Sequence, residues 1–248
     1  MEKILFIHGL ASDRNSTTGK RVKEILSDYG EVICENFNPQ DIDEMLDKLH
    51  KKINDEGFTV LVGHSFGGFW TLIANTIPKK LNKIVINPCY YPSIEIPKLT
   101  EVDSNFVKDF EEKEKLLDVT CMRDKGLQNF GIFGDADPLF SYENEYLSLF
   151  GNIGNTVKVP GEHKISKTEL ETGLMKALEY FGIEPVCKNW HRIEATHFVL
   201  FFAHKYSNFT TFTDLIFLCK YVENIFIDVF IVSWLFYNKN GIIFLAIL

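Results

Sequence analysis

Ser65 stands between Gly63 and Gly67 in the run Val60-Leu61-Val62-Gly63-His64-Ser65-Phe66-Gly67-Gly68. An apolar stretch leads into the serine and a helical pattern leaves it. This is the strand–turn–helix setting of a G-x-S-x-G nucleophile elbow. A nucleophile on so tight a turn holds a strained backbone angle, and small neighbours keep clear of it. A helix that starts at the turn aims its free N–H groups and its positive end at a developing oxyanion. The competing reading is a glycine-rich strand–helix turn that cradles a phosphate or carries no chemistry.

A serine nucleophile needs a base, and the base needs an orienting acid. Elbows of this kind use the chain order Ser, then Asp or Glu, then His. His163, in Pro160-Gly161-Glu162-His163-Lys164, is the one histidine between the elbow and residue 185. Asp135 and Asp137 precede it in Gly134-Asp135-Ala136-Asp137-Pro138. Asp137 is favoured as the acid, since the rigid turn at Pro138 can aim its carboxylate. Asp135 is the alternative, and a loop hydrogen bond is its ordinary role. The oxyanion donors are expected to be the backbone N–H groups of Phe66, just after the nucleophile, and of Leu10 in the loop His8-Gly9-Leu10. His8 is read as ordering that loop by hydrogen bonding. His64 is expected to project away from Ser65 as a packing residue.

These residues need elements to position them. Ile4–Ile7 is a continuous apolar run, as in a strand buried on both faces of a parallel sheet. Strands are also predicted over 31–35, 58–62, 84–86, 129–133 and 156–159. Helices are predicted over 20–29, 41–56, 66–77, 141–150 and 166–181, from apolar residues at helical spacing. Residues 88–128 read as an insertion that caps the site, with a charged helix over 104–117 whose Glu111-Glu112-Lys113-Glu114-Lys115 run is a solvated face. Alternating strands and helices imply a parallel sheet with right-handed crossovers. His8, Ser65, Asp135, Asp137 and His163 all follow strand ends, so they converge at one edge of the sheet.

Composition narrows the partners. The 248 residues suffice for one α/β domain with an appendage. A net charge of −8 and the lack of a basic run argue against nucleic acid or an anionic membrane as partner. The five cysteines are widely spaced and form no C-x-x-C, which indicates neither a disulfide framework nor a zinc site. Free thiols and a short apolar N-terminal run lead to the expectation of a cytoplasmic protein.

The hydrolytic domain is expected to span residues 1–184. From Pro185 onward the texture changes. Ten of the 22 phenylalanines lie there, without helical or strand period. The apolar stretch Asn224–Tyr237 is interrupted by Asp228 and is shorter than the ~20 residues of a membrane span. A weak membrane-associating tail, an extra packing segment and a translated stretch outside selected protein sequence all compete. The missing caps and turns favour the last, and residues 185–248 are assigned no function.

With these residues set out, the chain resembles the α/β-hydrolase superfamily, and within it the small YqiA-like esterases. The resemblance runs from Ile4 to about Phe181. It rests on Leu5-Phe6-Ile7-His8-Gly9, Gly63-His64-Ser65-Phe66-Gly67-Gly68, Val85-Ile86-Asn87-Pro88, Gly134-Asp135-Ala136-Asp137 and Gly161-Glu162-His163. It implies an α/β-hydrolase fold, with a mostly parallel sheet of about six strands, helices on both faces and a small helical lid insertion. It also implies a serine esterase without metal or cofactor that prefers short acyl groups. The reaction expected is hydrolysis of a small-molecule ester or thioester through an acyl-Ser65 intermediate. The same triad would serve an acyltransferase or a peptidase, since an acyl-enzyme does not dictate its acceptor. A ligand-binding protein on the hydrolase fold is the non-enzymatic alternative.

Overall fold

The computed structural model describes residues 1–74, 81–124, 128–151, 154–186, 233–238 and 241–246. The chain divides into two units, Met1–Lys188 and Asn189–Leu248. In the first, six strands form one sheet: β1 Glu2–Ile7, β2 Gly30–Cys34, β3 Val60–His64, β4 Asn82–Ile86, β5 Asn129–Gly134 and β6 Thr156–Val159. Their order across the sheet is β2-β1-β3-β4-β5-β6, and every pairing is parallel. The predicted α/β-hydrolase architecture is therefore present, with the expected number of strands.

Strand periodicity divides the core into two layers. Leu5, Ile7, Leu61, Val85 and Phe133 face one cluster, while Ile4, Phe6, Val60, Val62, Ile84, Ile86 and Ile132 face the other. Alternate residues of a strand point to opposite faces, so apolar residues at every position must be covered twice. Helices α1 Thr17–Leu26 and α7 Lys167–Phe181 cover the second face through Val22, Ile25, Leu26, Leu170, Leu174 and Leu178. The first face is covered by α2 Ile42–His50, α3 Phe66–Ile73 and the later helices of the domain.

Caps shift several helices from their expected bounds. Ser16 accepts a hydrogen bond from the Gly19 N–H, so α1 starts three residues before the predicted start at Lys20 and ends at Leu26. The predicted helix 41–56 splits into α2 and a π-helical turn at Lys51–Asp55. That turn carries Lys52, which is ion-paired with both Glu35 and Glu56. α3 stops at Ile73, because Ala74 leaves the helical region with ψ 116°, so it falls short of the predicted end at Ile77.

Residues between β4 and β5 form two helices, α4 Pro92–Leu99 and α5 Phe106–Asp124. The charge run in α5 is only partly a solvated face. Glu111, Glu112 and Lys115 are exposed. Glu114 instead turns toward α4, where its carboxylate accepts from the Ser93 N–H at 2.8 Å and the Ser93 hydroxyl at 2.9 Å. Those groups lie in the first turn of α4, where free N–H donors need an acceptor. Partial burial raises the Glu114 carboxyl from its usual range, against the lowering by Ser93. Helix α6, Glu143–Phe150, completes this face with Tyr146 and Phe150.

The second unit contains an antiparallel pair, β7 Ser233–Asn238 and β8 Gly241–Ala246. The sequence shows no strand period there, so this pairing was not expected. Residues 187–232, including most of the apolar stretch noted above, lie outside the described residues. Among the described residues no helix is long and apolar enough to cross a membrane.

Candidate active site

The strand order sets the loops after β1, β3, β4, β5 and β6 side by side along the carboxyl edge of the sheet. Parallel strands all deliver their following residues to the same edge, where ligands bind in open α/β sheets.

Ser65 caps α3 with φ 58° and ψ −124°. A non-glycine residue at positive φ with extended ψ is strained, as a nucleophile elbow requires. Its backbone is fixed on three sides. The Ser65 N–H donates to the Ile86 carbonyl at 3.0 Å, and its carbonyl accepts from Gly68 at 2.9 Å and Cys89 at 3.0 Å. Gly67 is needed for close approach: a Cβ there would stand 2.2 Å from the Ile7 carbonyl oxygen. The same crowding holds at Gly9, where a Cβ would stand 2.8 Å from the Ser65 Cβ. The main chain of the loop after β1 therefore lies directly against the nucleophile. Leu10 follows, and Ala11 turns the loop with φ 49°.

His8 orders that loop, as expected. It is buried; its Nε2 accepts from the Phe37 N–H at 3.1 Å, which leaves Nδ1 to donate to the Gly9 carbonyl at 2.9 Å.

Asp137 and His163 come together. Nδ1 of His163 lies 2.9 Å from Oδ2 of Asp137, whose side chain is only 2 % exposed. The other carboxylate oxygen accepts from the N–H groups of Leu139 at 2.8 Å and Phe140 at 3.2 Å. An ionised carboxylate only accepts, so Nδ1 carries the proton and Nε2 keeps its lone pair. Phe140 stands edge-on to the His163 ring at 5.1 Å, closing another side. Asp135 does not reach the imidazole. Its carboxylate accepts from the Gly161 N–H at 3.0 Å and so ties the loop after β5 to the loop after β6.

Two residues take a larger part than their sequence context suggested. His64 is more than a packing residue: its Nε2 donates to the His163 carbonyl at 2.9 Å, and the two rings lie 4.9 Å apart. Burial, and next the neighbouring His163, push its pKa down to about 4. Asn87 sits after β4 with φ 43° and is 1 % exposed. Its amide donates to the carbonyls of Glu162 at 3.1 Å and His163 at 3.2 Å, and its oxygen accepts from the Gly134 N–H at 2.7 Å. The available signal was a polar residue following the apolar run Ile84-Val85-Ile86, immediately before a proline.

Cys89, behind the elbow, is fully buried, and burial pushes its thiol well above the usual range. It is not set up as a nucleophile. Among the described residues no group of three His, Cys, Asp or Glu could hold a metal ion.

A parallel sheet with a strained serine turn after its third strand, followed by an aspartate–histidine pair, defines the α/β-hydrolase class. Solved structures share the fold. FphF, a fluorophosphonate-binding serine hydrolase of Staphylococcus aureus, is 16% identical with a TM-score of 0.51, over 73% of this chain and 83% of that chain. Est1E of Butyrivibrio proteoclasticus is 18% identical with a TM-score of 0.57, over 73% and 88%. The esterase domain of a Rhodothermus marinus protein is 15% identical with a TM-score of 0.51, over 73% and 85%. No curated protein matches the sequence. Residues 3–179 match the uncharacterised protein family UPF0227, and the chain belongs to that family, whose YqiA-like members its motifs resemble.

Proposed function

We propose that this protein is a serine esterase or thioesterase that cleaves a small acyl ester through an acyl-Ser65 intermediate. The observation that carries the reading is the Asp137–His163 pair at 2.9 Å, on the same sheet edge as a serine held at φ 58°. Of the fold neighbours named above, FphF is a serine hydrolase and the Rhodothermus marinus domain an esterase domain, which supports the same class.

In this reading the Ser65 hydroxyl attacks the acyl carbonyl and Nε2 of His163 takes its proton. The imidazolium that forms is stabilised by the buried Asp137 carboxylate, which also holds the ring in its tautomer. The backbone N–H groups of Phe66 and Leu10 receive the oxyanion, and one such donor is worth about 3 kcal/mol in the transition state. His163 then protonates the leaving alkoxide or thiolate. Water, deprotonated by the same nitrogen, attacks the acyl-serine; the acyl–oxygen bond breaks, the imidazolium returns its proton to the Ser65 oxygen, and the acid is released. The free thiols of Cys34 and Cys89 accord with a reducing compartment, and a cytoplasmic setting is part of the proposal.

The test is a pre-steady-state assay with p-nitrophenyl acetate. A burst of p-nitrophenol equal to the enzyme concentration, absent in Ser65→Ala, is the expected result. Turnover that survives in Ser65→Ala would overturn the reading.

A further inference from the structure

We propose that His64 and Asn87 are positioning residues for the base, gripping the main-chain carbonyl of His163 and thereby holding its imidazole in register with Ser65. The inference rests on the esterase reading for its consequence, though not for its geometry.

The loop that bears His163 has no regular structure of its own. Its position is fixed from outside. Two donors, one from the last residue of β3 and one from the residue after β4, converge on one carbonyl oxygen: His64 Nε2 at 2.9 Å and Asn87 Nδ2 at 3.2 Å. The second amide proton of Asn87 holds the preceding carbonyl, that of Glu162. The amide oxygen of Asn87 holds Gly134, where the loop toward Asp137 begins. One buried side chain therefore sets the spacing between the loops of acid and base. A Cβ on Gly134 would stand 2.6 Å from the Gly161 carbonyl oxygen, so these loops already touch backbone to backbone. Beyond the histidine, Ile165 is buried in the core and its carbonyl accepts from Arg21 at 2.6 Å.

His64 is covalently next to Ser65. Its bond therefore ties the residue beside the nucleophile to the loop of the base. His163, Asp137 and Lys164 are the charged or titratable groups that act on it, and burial dominates in keeping it neutral. A neutral donor beside His163 holds the loop without opposing the positive charge that His163 gains on taking the serine proton. Asn87 pairs each of its donors and acceptors with a complementary group, so its amide cannot be replaced by a carboxylate without setting oxygen against two carbonyl oxygens.

Three variants of the full chain test this. His64→Phe keeps the ring and loses the donor. His64→Gln restores a donor. Asn87→Asp keeps shape and tolerates positive φ. Two readouts are taken beside a thermal melt: kcat and KM for p-nitrophenyl acetate, and the downfield proton resonance of the His163 Nδ1–H. For His64→Phe and Asn87→Asp the expected result is a kcat lower by about 10- to 100-fold with KM within about twofold. The Nδ1–H resonance is expected to broaden or move, and His64→Gln to recover part of both. If the resonance responds but wild type turns over no ester, the positioning claim stands and the esterase reading fails. An unmoved resonance with kcat within about twofold in both variants overturns the positioning claim and leaves the esterase reading intact.

Discussion

The carboxyl rim of the sheet and the helical insertion meet at Phe66, yet different forces hold them. The rim loops are fixed by side chains bonded to backbone: Asp137 to Leu139 and Phe140, Asp135 to Gly161, Asn87 to Gly134 and Glu162. The insertion is fixed mainly by aromatic faces. Phe106 and Phe110 stack at 4.3 Å, and Phe110 meets Phe66, Phe69 and Trp70 at 5.4, 6.0 and 5.8 Å. Two polar latches supplement this packing, Glu114 on Ser93 and the Tyr142 hydroxyl on Glu95. Hydrogen bonds are directional and set atoms to within a few tenths of an ångström. Burial and dispersion are non-directional and accept repacking. The rim bonds thus fix where the loop atoms lie, and the aromatic packing of the insertion adds stability.

The largest expected effect lies on the rim. His163→Ala should lower kcat by on the order of 10⁴-fold or more while leaving the melting temperature within a few degrees, because a base is lost and little core is disturbed. A loss of ester turnover below tenfold would break the contrast. On the insertion, Phe110→Ala should do the opposite. Phe110 is 1 % exposed, so the cavity should cost about 3–5 kcal/mol in urea unfolding, with kcat changed only a few-fold.

A third effect depends on pH. His64 is held down to about 4 when folded, against ~6.5 in the unfolded chain. The unfolded state binds more protons between those values, so stability rises with pH across the window and is lost as pH falls through it. At pH 4.5 the loss relative to pH 7 should be on the order of 2–3 kcal/mol from this group. Urea melts of wild type and His64→Gln at both pH values check this: the variant should lose less. The smallest effect is expected from Tyr142→Phe. It removes one hydroxyl bond to Glu95, which keeps Lys98 as partner, and should cost about 1 kcal/mol in the same unfolding assay.

The same division decides what could be read from the residue order alone. The strained turn at Ser65 and the pairing of Asp137 with His163 were legible because an elbow, a proline-braced aspartate and a histidine after the last strand each leave a local mark. The central strand stretches Ile4–Ile7, Val60–Val62 and Ile84–Ile86 were legible because residues buried on both faces read as unbroken apolar runs. The start of α1 was missed because its cap, Ser16, lies six residues before the first apolar residue of the helical pattern, Val22. The π-helical turn after α2 left no mark in the apolar spacing, and neither did the pairing of its Lys52 with Glu35 and Glu56. Glu114 looked solvated because its partner, Ser93, is 21 residues away. His64 and Asn87 escaped for the same reason: their partner carbonyl is 99 and 76 residues distant, and a hydrogen bond to main chain imposes no side-chain pattern.

The central claim, a serine activated by His163 and Asp137, is tested most directly by fluorophosphonate labelling of the full chain. Wild type would be compared with Ser65→Ala, Asp137→Asn and Asp135→Asn. Labelling should vanish in Ser65→Ala, fall steeply in Asp137→Asn and stay near wild type in Asp135→Asn, whose carboxylate bonds the Gly161 N–H and not the imidazole. A folded wild type that takes no label, or an Asp135→Asn defect as deep as that of Asp137→Asn, would contradict it.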